Sequence, residues 1–335
     1  MSSIDVIVPC YRYGHFLREC VESVLVQSLK DVRVLILDDA SPDNTAEVGA
    51  ELALEDPRVT LVRHHVNKGH IATYNEGIDW VSADYMLLLS ADDYLLPGAL
   101  ERAAALLDVH PEVGFVFGAA VELDTATGQA EPVSATADAR VLTGLQFIEL
   151  SGPRNVVPTP TAVVRTTLQK RLGGYRFELP HAGDMEMWFR LATYASVGIL
   201  AAHQAVYRRH ADNMSHAYLM NDRIPDLRQR KAALDQFGQY CGNTLKDGRQ
   251  VYRRLISLLG RDAIGYASTA FNDGDIVACN KLSALALEIC PGAKKSAPWI
   301  KLLCKRRIGL DRWRALQPFV VGWRQHVASM KARTN

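Results

Sequence analysis

Residues 35–45 read LILDDASPDNT and place two adjacent carboxylates, Asp38 and Asp39, at the end of an apolar run. The run begins at residue 32 and is typical of a strand that is buried on both faces. Turn-forming residues follow it, among them Ser41 and Asp43, either of which can cap the next helix. The stretch therefore predicts a buried strand that ends in paired negative charge, which needs neutralising partners.

Short apolar runs alternate with helical periodicity along the first 120 or so residues. Strands are predicted at 4–9, 32–39, 58–64, 84–93 and 114–123, with helices between them. The first helix is expected to bury a face made of Phe16, Cys20, Val21 and Val24. Because parallel strands need crossover connections, this alternation predicts an α/β fold with a mostly parallel sheet covered by helices on both faces.

Composition limits the class of protein. The chain has 335 residues, of which 48% are hydrophobic, and a formal net charge of +1, so overall charge does not indicate binding to nucleic acid. Six scattered cysteines without a C-x-x-C pair indicate neither a zinc site nor a disulfide framework, and a reducing compartment fits best. The N-terminus enters a strand directly, and no long apolar run occurs. We therefore expect a cytoplasmic protein without a signal peptide or a membrane span.

Unusual polar residues cluster where the predicted strands end. They are Pro9 and Tyr11 after the first strand, Asp38 and Asp39 after the second, and Asp92 and Asp93 after the fourth. Ligands of open α/β sheets bind beyond the carboxyl ends of the strands. Helix capping is the simpler explanation for either acid pair, but two such pairs at neighbouring strand ends repel unless a cation or ligand donors neutralise them. Mg²⁺ and Mn²⁺ prefer such oxygen ligands.

Five segments in order resemble the motif set of the family 2 glycosyltransferases, which have the GT-A fold. The segments are VIVPCYRYGHFLRECVESVLVQS, VLILDDASPDNT, NKG, LLLSADD and AGDMEMWFRLA, and the resemblance covers about residues 4–215. It implies a nucleotide diphosphate sugar lying across the strand ends. Tyr11 would stack on a pyrimidine base in a pocket shaped by Pro9, Asp39 would accept a hydrogen bond from that base with Asp38 beside it, Asp92 would hold the ribose, and Asp93 would bind Mn²⁺ or Mg²⁺.

One motif departs from the family pattern, and two others leave alternatives open. Ser90 stands where the family often has the first acid of D-x-D-D, so the metal site depends on Asp92 and Asp93, either of which could be the direct ligand. Lys68 and His70 in NKGH fit nucleotide binding and an exposed turn equally well. His210 belongs to a segment that resembles the family's late R-x-H, where it would approach the metal or the diphosphate; a lone His is otherwise an ordinary surface or core residue.

The resemblance also implies a catalytic base. Asp184 follows a glycine at the start of a predicted helix, where the family carries its catalytic carboxylate; the helix start alone favours an N-cap role instead. Glu186 and Arg190 are expected to pair on the outer face of this helix. The acceptor pocket would be lined by residues that the resemblance places near the base, namely Thr159, Thr161 and Trp188.

The chain is expected to divide into a catalytic domain, 1–216, and a helical C-terminal region, 217–335. From Lys294 onward basic residues far outnumber the single acid Asp311, and tryptophans interleave with them. A basic amphipathic segment of this kind fits peripheral contact of 294–335 with the inner face of a membrane, and it fits core packing or a homodimer equally well.

Taken together, these features favour an inverting, metal-dependent transferase. It would move one sugar from a UDP- or dTDP-type donor to a hydroxyl of a glycan, lipid-linked or other cell-surface acceptor in polysaccharide or cell-envelope biosynthesis. A non-catalytic relative that binds sugar nucleotides or glycans is the main alternative. A nucleotidylyltransferase would need a Gly-rich, Arg-containing loop at PCYRYGHF, and a processive synthase would need membrane helices and Q-x-x-R-W.

Overall fold

A computed structural model describes residues 2–129, 138–214, 218 and 223–316. The chain forms two compact units. The first comprises Met1–His216 and Ala232–Arg249, and the second comprises Ala217–Lys231 and Gln250–Asn335. The boundary expected between residues 216 and 217 stays a prediction.

The first unit begins with the predicted alternation of strands and helices. In chain order the elements are β1 (Ile4–Cys10), α1 (Gly14–Leu25), β2 (Val32–Asp38), α2 (Thr45–Glu55), β3 (Val59–Arg63), α3 (His70–Trp80) and β4 (Tyr85–Leu88). The four strands pair in the order β3-β2-β1-β4, and all three pairings are parallel. This half of the sheet confirms the predicted α/β architecture.

The rest of the unit continues the same sheet with mixed pairing. Its elements are β5 (Tyr94–Leu95), α4 (Ala99–Val109), β6 (Val113–Asp124), β7 (Ala139–Leu142), α5 (Gly144–Ser151), β8 (Val163–Arg165), α6 (Thr166–Leu172), α7 (Gly183–Ala192) and β9 (Ser196–Arg209). The full order is β3-β2-β1-β4-β8-β6-β9-β5, with β7 beside β9. β8 is antiparallel to both of its neighbours, whereas β6 and β9 run parallel. Within the described residues, the sheet has nine strands joined by four parallel and four antiparallel pairings.

The strand order reverses direction at β1, since the chain moves from β1 through β2 to β3 on one side and then returns to β4 on the other. Ligands of open α/β sheets bind at such a reversal, where loops from neighbouring strands diverge. The loops after β1, β2 and β4, which carry the acidic pairs and the PCYRYGHF segment, therefore meet at one edge.

Helix α1 packs against the sheet by the face that its periodicity predicts. Leu17, Cys20, Val21 and Val24 are buried, and they join the core formed by β1, β2 and α4. Phe16 is only partly buried and lies at the rim of this face. The N-cap position of α2 is Asn44, but Asp43 Oδ1 accepts the N–H of Thr45 at the start of this helix at 3.2 Å. Asp43 Oδ2 accepts the Gly14 N–H at 3.1 Å, so Asp43 joins the starts of α1 and α2.

A buried carboxylate ties the centre of the sheet together. Asp5 on β1 has no exposed surface, and its oxygens accept bonds from Arg33 at 2.7 and 2.8 Å and from the N–H groups of Ser82 and Ala83 at 2.7 and 2.9 Å. Burial by itself would raise the pKa of Asp5, but these donors outweigh it and the pKa lies below 3.8. Asp5 therefore joins β1 to β2 and to the turn before β4.

The C-terminal region, residues 217–335, is helical where the structure describes it, as expected. Its helices are α8 (Ile224–Thr244), α9 (Gly248–Asp273), α10 (Ile276–Ile289) and α11 (Ala297–Ile308). Lys305 is buried, and its ammonium donates to Ser268 and Asn272 at 2.6 and 2.9 Å and lies 4.8 Å from the Trp313 ring. The beginning of the basic tail thus packs internally, while residues 317–335 lie outside the described residues. Within the described ranges, no helix has the length and apolar character needed to cross a bilayer.

Asp5→Asn is expected to lower the free energy of unfolding by about 2 kcal/mol, because it leaves buried N–H groups and Arg33 poorly paired. Since the folded pKa of Asp5 is lowered, its contribution is complete above the unfolded value near 3.8 and is lost as pH falls through the folded value. Urea unfolding at pH 7 and pH 3, followed by fluorescence, measures both effects.

Glu22→Gln is the matched control, because Glu22 pairs with Arg18 at an exposed i,i+4 site on α1. An Asp5→Asn variant no less stable at pH 7 than this control would contradict the role assigned to Asp5.

Candidate active site

A cavity of about 590 Å³ lies at the sheet edge where the strand order reverses. Of the residues predicted to bind the nucleotide, Pro9, Tyr11 and Asp39 line it. Tyr11 keeps 42% of its surface exposed, so its ring is free to receive a planar ligand. The structure thus brings together the residues after β1 and the second carboxylate after β2.

The two carboxylates of the opening stretch have different environments. Asp38 is fully buried outside the cavity, where its Oδ1 accepts the Ser41 N–H at 2.8 Å and its Oδ2 lies 3.3 Å from Arg63 Nε. Ser41 Oγ in turn accepts the N–H of Arg12 at 3.1 Å. Arg12 and Ala40 both have positive φ, of 65° and 57°, a strained conformation for non-glycine residues that occurs mostly at functional sites. Asp38 therefore shapes the two loops.

Asp39 faces the cavity and is held by three donors. Its Oδ1 lies 2.7 Å from both His64 Nδ1 and the Lys68 backbone nitrogen, and its Oδ2 accepts the Gly69 N–H at 2.9 Å. Burial raises the pKa of Asp39, but the bonds from His64, Lys68 and Gly69 outweigh it and the pKa is lowered. Asp39 is therefore a fixed, ionised acceptor at the cavity wall.

The second acidic pair also divides into two roles. Asp93 is 2% exposed, and its Oδ1 accepts the backbone N–H of Arg208 on β9 at 3.0 Å. Asp92 Oδ2 lies 3.1 Å from His210 Nε2 and 3.5 Å from Asn213 Nδ2. Burial raises the pKa of both acids above 3.8, and the charge of Asp92 further raises that of Asp93. Two neighbouring buried carboxyls resist being ionised at the same time. A cation bound beside them would stabilise their charged forms.

Arg208 connects the acidic pair to the first helix. Its guanidinium donates to the Asp92 carbonyl at 2.7 Å and to the Glu19 carboxylate, and it lies 4.8 Å from the Phe16 ring. The ring of Phe16 also lies 5.5 Å from that of His210. The R-x-H segment therefore contacts Asp92 twice, through Arg208 at its backbone carbonyl and through His210 at its carboxylate. The sequence analysis did not assign the contact from Arg208.

Asp184 lies at the start of α7 and does not cap that helix. The N-cap is Ala182, and the Asp184 carboxylate accepts the Thr159 hydroxyl at 2.9 Å and a bond from the Tyr175 hydroxyl. Burial raises the pKa of Asp184, and these two hydroxyls only partly oppose it. Tyr175 contacts Tyr74, a cavity residue, with ring centroids 5.3 Å apart. Asp184 is thus held behind the cavity wall by hydroxyl groups.

Asp92, Asp93, His210 and Asp184 do not line the cavity, and neither do four further predicted positions. Lys68 contributes its backbone to Asp39, while its ammonium pairs with Glu76 at 2.7 Å. Thr161 is buried and bonded to the Gly118 and Pro158 carbonyls, and Trp188 is 4% exposed against Phe115. Thr159 lies next to Asp184, as described above.

The prediction that Glu186 and Arg190 pair was right, but their placement on the outer face was wrong. Both are buried, with Arg190 Nη2 3.1 Å from Glu186 Oε2. Arg190 also donates to the carbonyls of Gly173 and Gly174, and Arg176 lies 3.2 Å from Glu186. The pair is buried because α7 is covered on this side by the preceding loop, which local periodicity does not show.

The cavity also includes residues to which the sequence analysis assigned no binding role. These are Cys10, Arg12, Tyr13, Asn67, Gly69, Thr73, Tyr74, Ser90, Asp212 and Met214, beside His70, which was considered. Asn67 and Gly69 belong to the NKGH motif, but only Lys68 and His70 of this motif were considered as nucleotide-binding residues. His64 had no motif at all, although it contacts Asp39 directly.

Comparison with known proteins identifies the family. Residues 5–166 match the family described as Glycosyl transferase family 2. A segment of 99 residues is 30% identical to the uncharacterized glycosyltransferase EpsJ of Bacillus subtilis (strain 168), covering 30% of this chain and 28% of EpsJ. The chain thus spans less than a third of that relative's length. Residues 5–166, a little under half of the chain, therefore form a domain that matches the family 2 glycosyltransferases.

Solved structures show the same fold. S. aureus TarS 1–349 in complex with UDP-GlcNAc superposes with a TM-score of 0.66 at 17% identity, covering 97% of this chain and 92% of TarS. The mannosyltransferase PcManGT of Pyrobaculum calidifontis, in complex with GDP-Man and Mn²⁺, gives a TM-score of 0.54 at 16% identity, covering 96% and 85%. The fold is that of the GT-A glycosyltransferases.

Proposed function

We propose that this chain is an inverting glycosyltransferase that moves one sugar from a UDP- or dTDP-type donor to an acceptor hydroxyl. The observation that carries the proposal is the cavity at the strand reversal. It is lined by an ionised acceptor, Asp39, by an exposed ring, Tyr11, and by Tyr74, whose ring contacts the Tyr175 that donates to Asp184. The UDP-GlcNAc bound to TarS and the GDP-Man bound to PcManGT support a nucleotide diphosphate sugar as the donor, and the first of them supports a pyrimidine base.

The base would bind between Tyr11 and Asp39. Tyr11 offers a face for stacking, and Pro9 contributes to the same wall. Asp39 Oδ2 accepts one protein N–H and keeps a further lone pair for a donor on the base, such as the ring N–H of uracil or thymine. Asp38, buried outside the cavity, would act only through the loop that it shapes.

A divalent cation fits Asp92 and His210 better than Asp93. Asp92 and His210 present a carboxylate and an imidazole 3.1 Å apart, whereas Asp93 is enclosed and bonded to the Arg208 backbone. Among the described residues no group of three or more acidic, His or Cys side chains could hold a metal ion. This suits Mg²⁺ or Mn²⁺, which are often held by one or two side chains together with substrate phosphates. When bound, such an ion would neutralise charge on the leaving diphosphate.

Asp184 would act as the base of a single displacement. The acceptor oxygen forms a bond to the anomeric carbon, the bond from that carbon to the phosphate oxygen breaks, and the hydroxyl proton passes to Asp184. One displacement inverts the configuration at the anomeric carbon. Thr159 and Tyr175 hold the carboxylate by donating to it. Its raised pKa brings it closer to the value suited to proton transfer near neutral pH.

Metal-dependent binding of UDP is the first expected result. Calorimetry with UDP, dTDP and GDP, each with Mn²⁺ and with chelator, should show one pyrimidine diphosphate bound more tightly in the presence of Mn²⁺. Asp92→Asn should abolish the gain from Mn²⁺, and Asp93→Asn should retain it, because an Asn oxygen can still accept the Arg208 N–H. The reverse pattern would return the metal to Asp93, and no binding by a folded wild type would favour a non-catalytic relative.

Asp184→Asn should leave UDP affinity unchanged and lower turnover by about 10² or more, the scale of general-base catalysis. Because the base acts in its ionised form, turnover should rise with pH through a pKa above 3.8. Thr159→Val removes a hydroxyl that lowers this pKa, so the acidic limb of the pH–turnover profile should move to higher pH.

Thr161→Val is the control for this shift, because the Thr161 hydroxyl bonds, among the described residues, to the carbonyls of Pro158 and Gly118 and to the Gly118 N–H. An equal shift in both variants, or near-normal turnover of Asp184→Asn, would remove Asp184 from this role.

The tail after Leu316 is proposed to hold the protein at an anionic membrane, where lipid-linked acceptors reside. Because Lys305 and Trp313 pack internally, the truncation should begin at residue 317. Deleting 317–335 should abolish co-sedimentation with phosphatidylglycerol vesicles and leave UDP binding intact. Unchanged sedimentation would end the membrane proposal, and a change from dimer to monomer would indicate self-association instead.

A further inference from the structure

We propose that His64 is a positioning residue that determines which oxygen of Asp39 meets the nucleotide base, and so determines which bases are accepted. The proposal rests on the nucleotide site described above. It concerns a residue that lies outside the cavity lining and acts through Asp39.

His64 lies between two carboxylates. Its side chain is 2% exposed, with Nδ1 2.7 Å from Asp39 Oδ1 and Nε2 3.1 Å from Glu76 Oε2. Glu76 is also bonded to the Lys68 ammonium at 2.7 Å. Contact at both ring nitrogens prevents rotation of the imidazole, so the donor to Asp39 keeps one direction. Glu76 and Lys68 thus anchor the ring from behind.

A backbone hydrogen bond also fixes the point from which the His64 side chain extends. Its N–H donates to the Asp38 carbonyl at 2.9 Å, directly after the last paired residues of β2 and β3. The side chain therefore starts from the sheet itself, one residue beyond Arg63. The Asp39 N–H is bonded to the Cys10 carbonyl at 3.0 Å in the same way. Both partners of the His64–Asp39 bond are held by rigid strand ends.

The bonds to Asp39 distribute unequally between its oxygens. Within the part of the chain that the structure describes, Oδ1 receives two donors, His64 Nδ1 and the Lys68 N–H, whereas Oδ2 receives one, the Gly69 N–H. A carboxylate oxygen has about two lone-pair sites, so Oδ1 is filled and Oδ2 keeps one. Asp39 thereby offers a ligand in the cavity a single acceptor position.

This asymmetry favours certain bases. Uracil and thymine present one ring N–H, which matches a single acceptor. Guanine presents a ring N–H and an adjacent amino group, which together need two acceptor positions, and cytosine presents a ring nitrogen lone pair that a carboxylate repels. His64 therefore favours uracil or thymine by occupying the oxygen that guanine would need.

Two amide substitutions separate the two bonds of the imidazole. The amide nitrogen of Asn occupies about the place of Nδ1, so His64→Asn keeps a donor toward Asp39. Gln reaches toward the place of Nε2, so His64→Gln keeps the Glu76 side and loses the donor to Asp39. His110→Gln is the matched control, because His110 makes a comparable contact of 3.1 Å with Glu112 at the surface.

The experiment is calorimetric titration of each purified full-length variant with UDP, GDP and inorganic pyrophosphate, all with Mn²⁺. We expect His64→Gln to lose about tenfold in UDP affinity, the scale of one hydrogen bond to a charged group. Its GDP and pyrophosphate affinities should not fall, so UDP–GDP discrimination should shrink. His64→Asn and His110→Gln should bind UDP within about threefold of the wild type, less than the loss of one such bond.

Several outcomes would overturn the proposal. Equal loss of UDP, GDP and pyrophosphate binding in His64→Gln would mean general structural damage. Loss of UDP binding in His64→Asn would mean that the donor to Asp39 is not the important feature, and this variant decides the question if His64→Gln does not fold. Wild type that prefers GDP would refute the oxygen-occupancy argument while leaving the transferase proposal standing; wild type that binds no nucleotide would refute both.

Discussion

Two parallel hydrogen-bonded ladders hold β1 between β2 and β4, and the site depends on their register. Cys10 lies opposite Asp38, and Ile7 lies opposite Leu88. The ladders continue past the strand ends, where the Asp39 N–H reaches the Cys10 carbonyl and the Leu89 N–H reaches the Ile7 carbonyl. Because side chains alternate between faces, a slip of one residue would exchange the acid that lines the cavity, Asp39, with the enclosed acid, Asp38. The same register places Asp38 in the protein and Asp39 in the cavity.

The acids of the site are stabilised in different ways, and this difference gives them different chemical capacities. Asp39 is surrounded by N–H donors, so its pKa is lowered and it stays an acceptor. The pKa values of Asp92, Asp93 and Asp184 are raised because burial removes water without supplying enough donors. Carboxyl groups of the first kind suit constant recognition. Those of the second kind gain most from a cation or from taking up a proton.

Local sequence patterns predicted much of the fold and part of the site. Hydrophobic periodicity was sufficient to predict the alternation of strands and helices from β1 to β4 and the buried face of α1. The expected strand ends were sufficient to place Tyr11 and Asp39 at one edge of the sheet. The same patterns failed for Glu186, because an i,i+4 pair looks alike whether the helix face is covered or open. They also could not separate Asp92 from Asp93, since adjacent residues share every local signal.

The sequence by itself determined that buried parallel strands end in turns rich in carboxylates, because hydrophobic periodicity and turn chemistry are local properties. Only the tertiary structure decided which carboxylate received which donor. His64 follows β3, Arg208 lies on β9 and Thr159 precedes β8, and they meet Asp39, Asp93 and Asp184 over separations of 25, 115 and 25 residues. Hydrogen bonds and desolvation depend on distances in space, and those distances are set only when the strands have paired and the loops after them have come together.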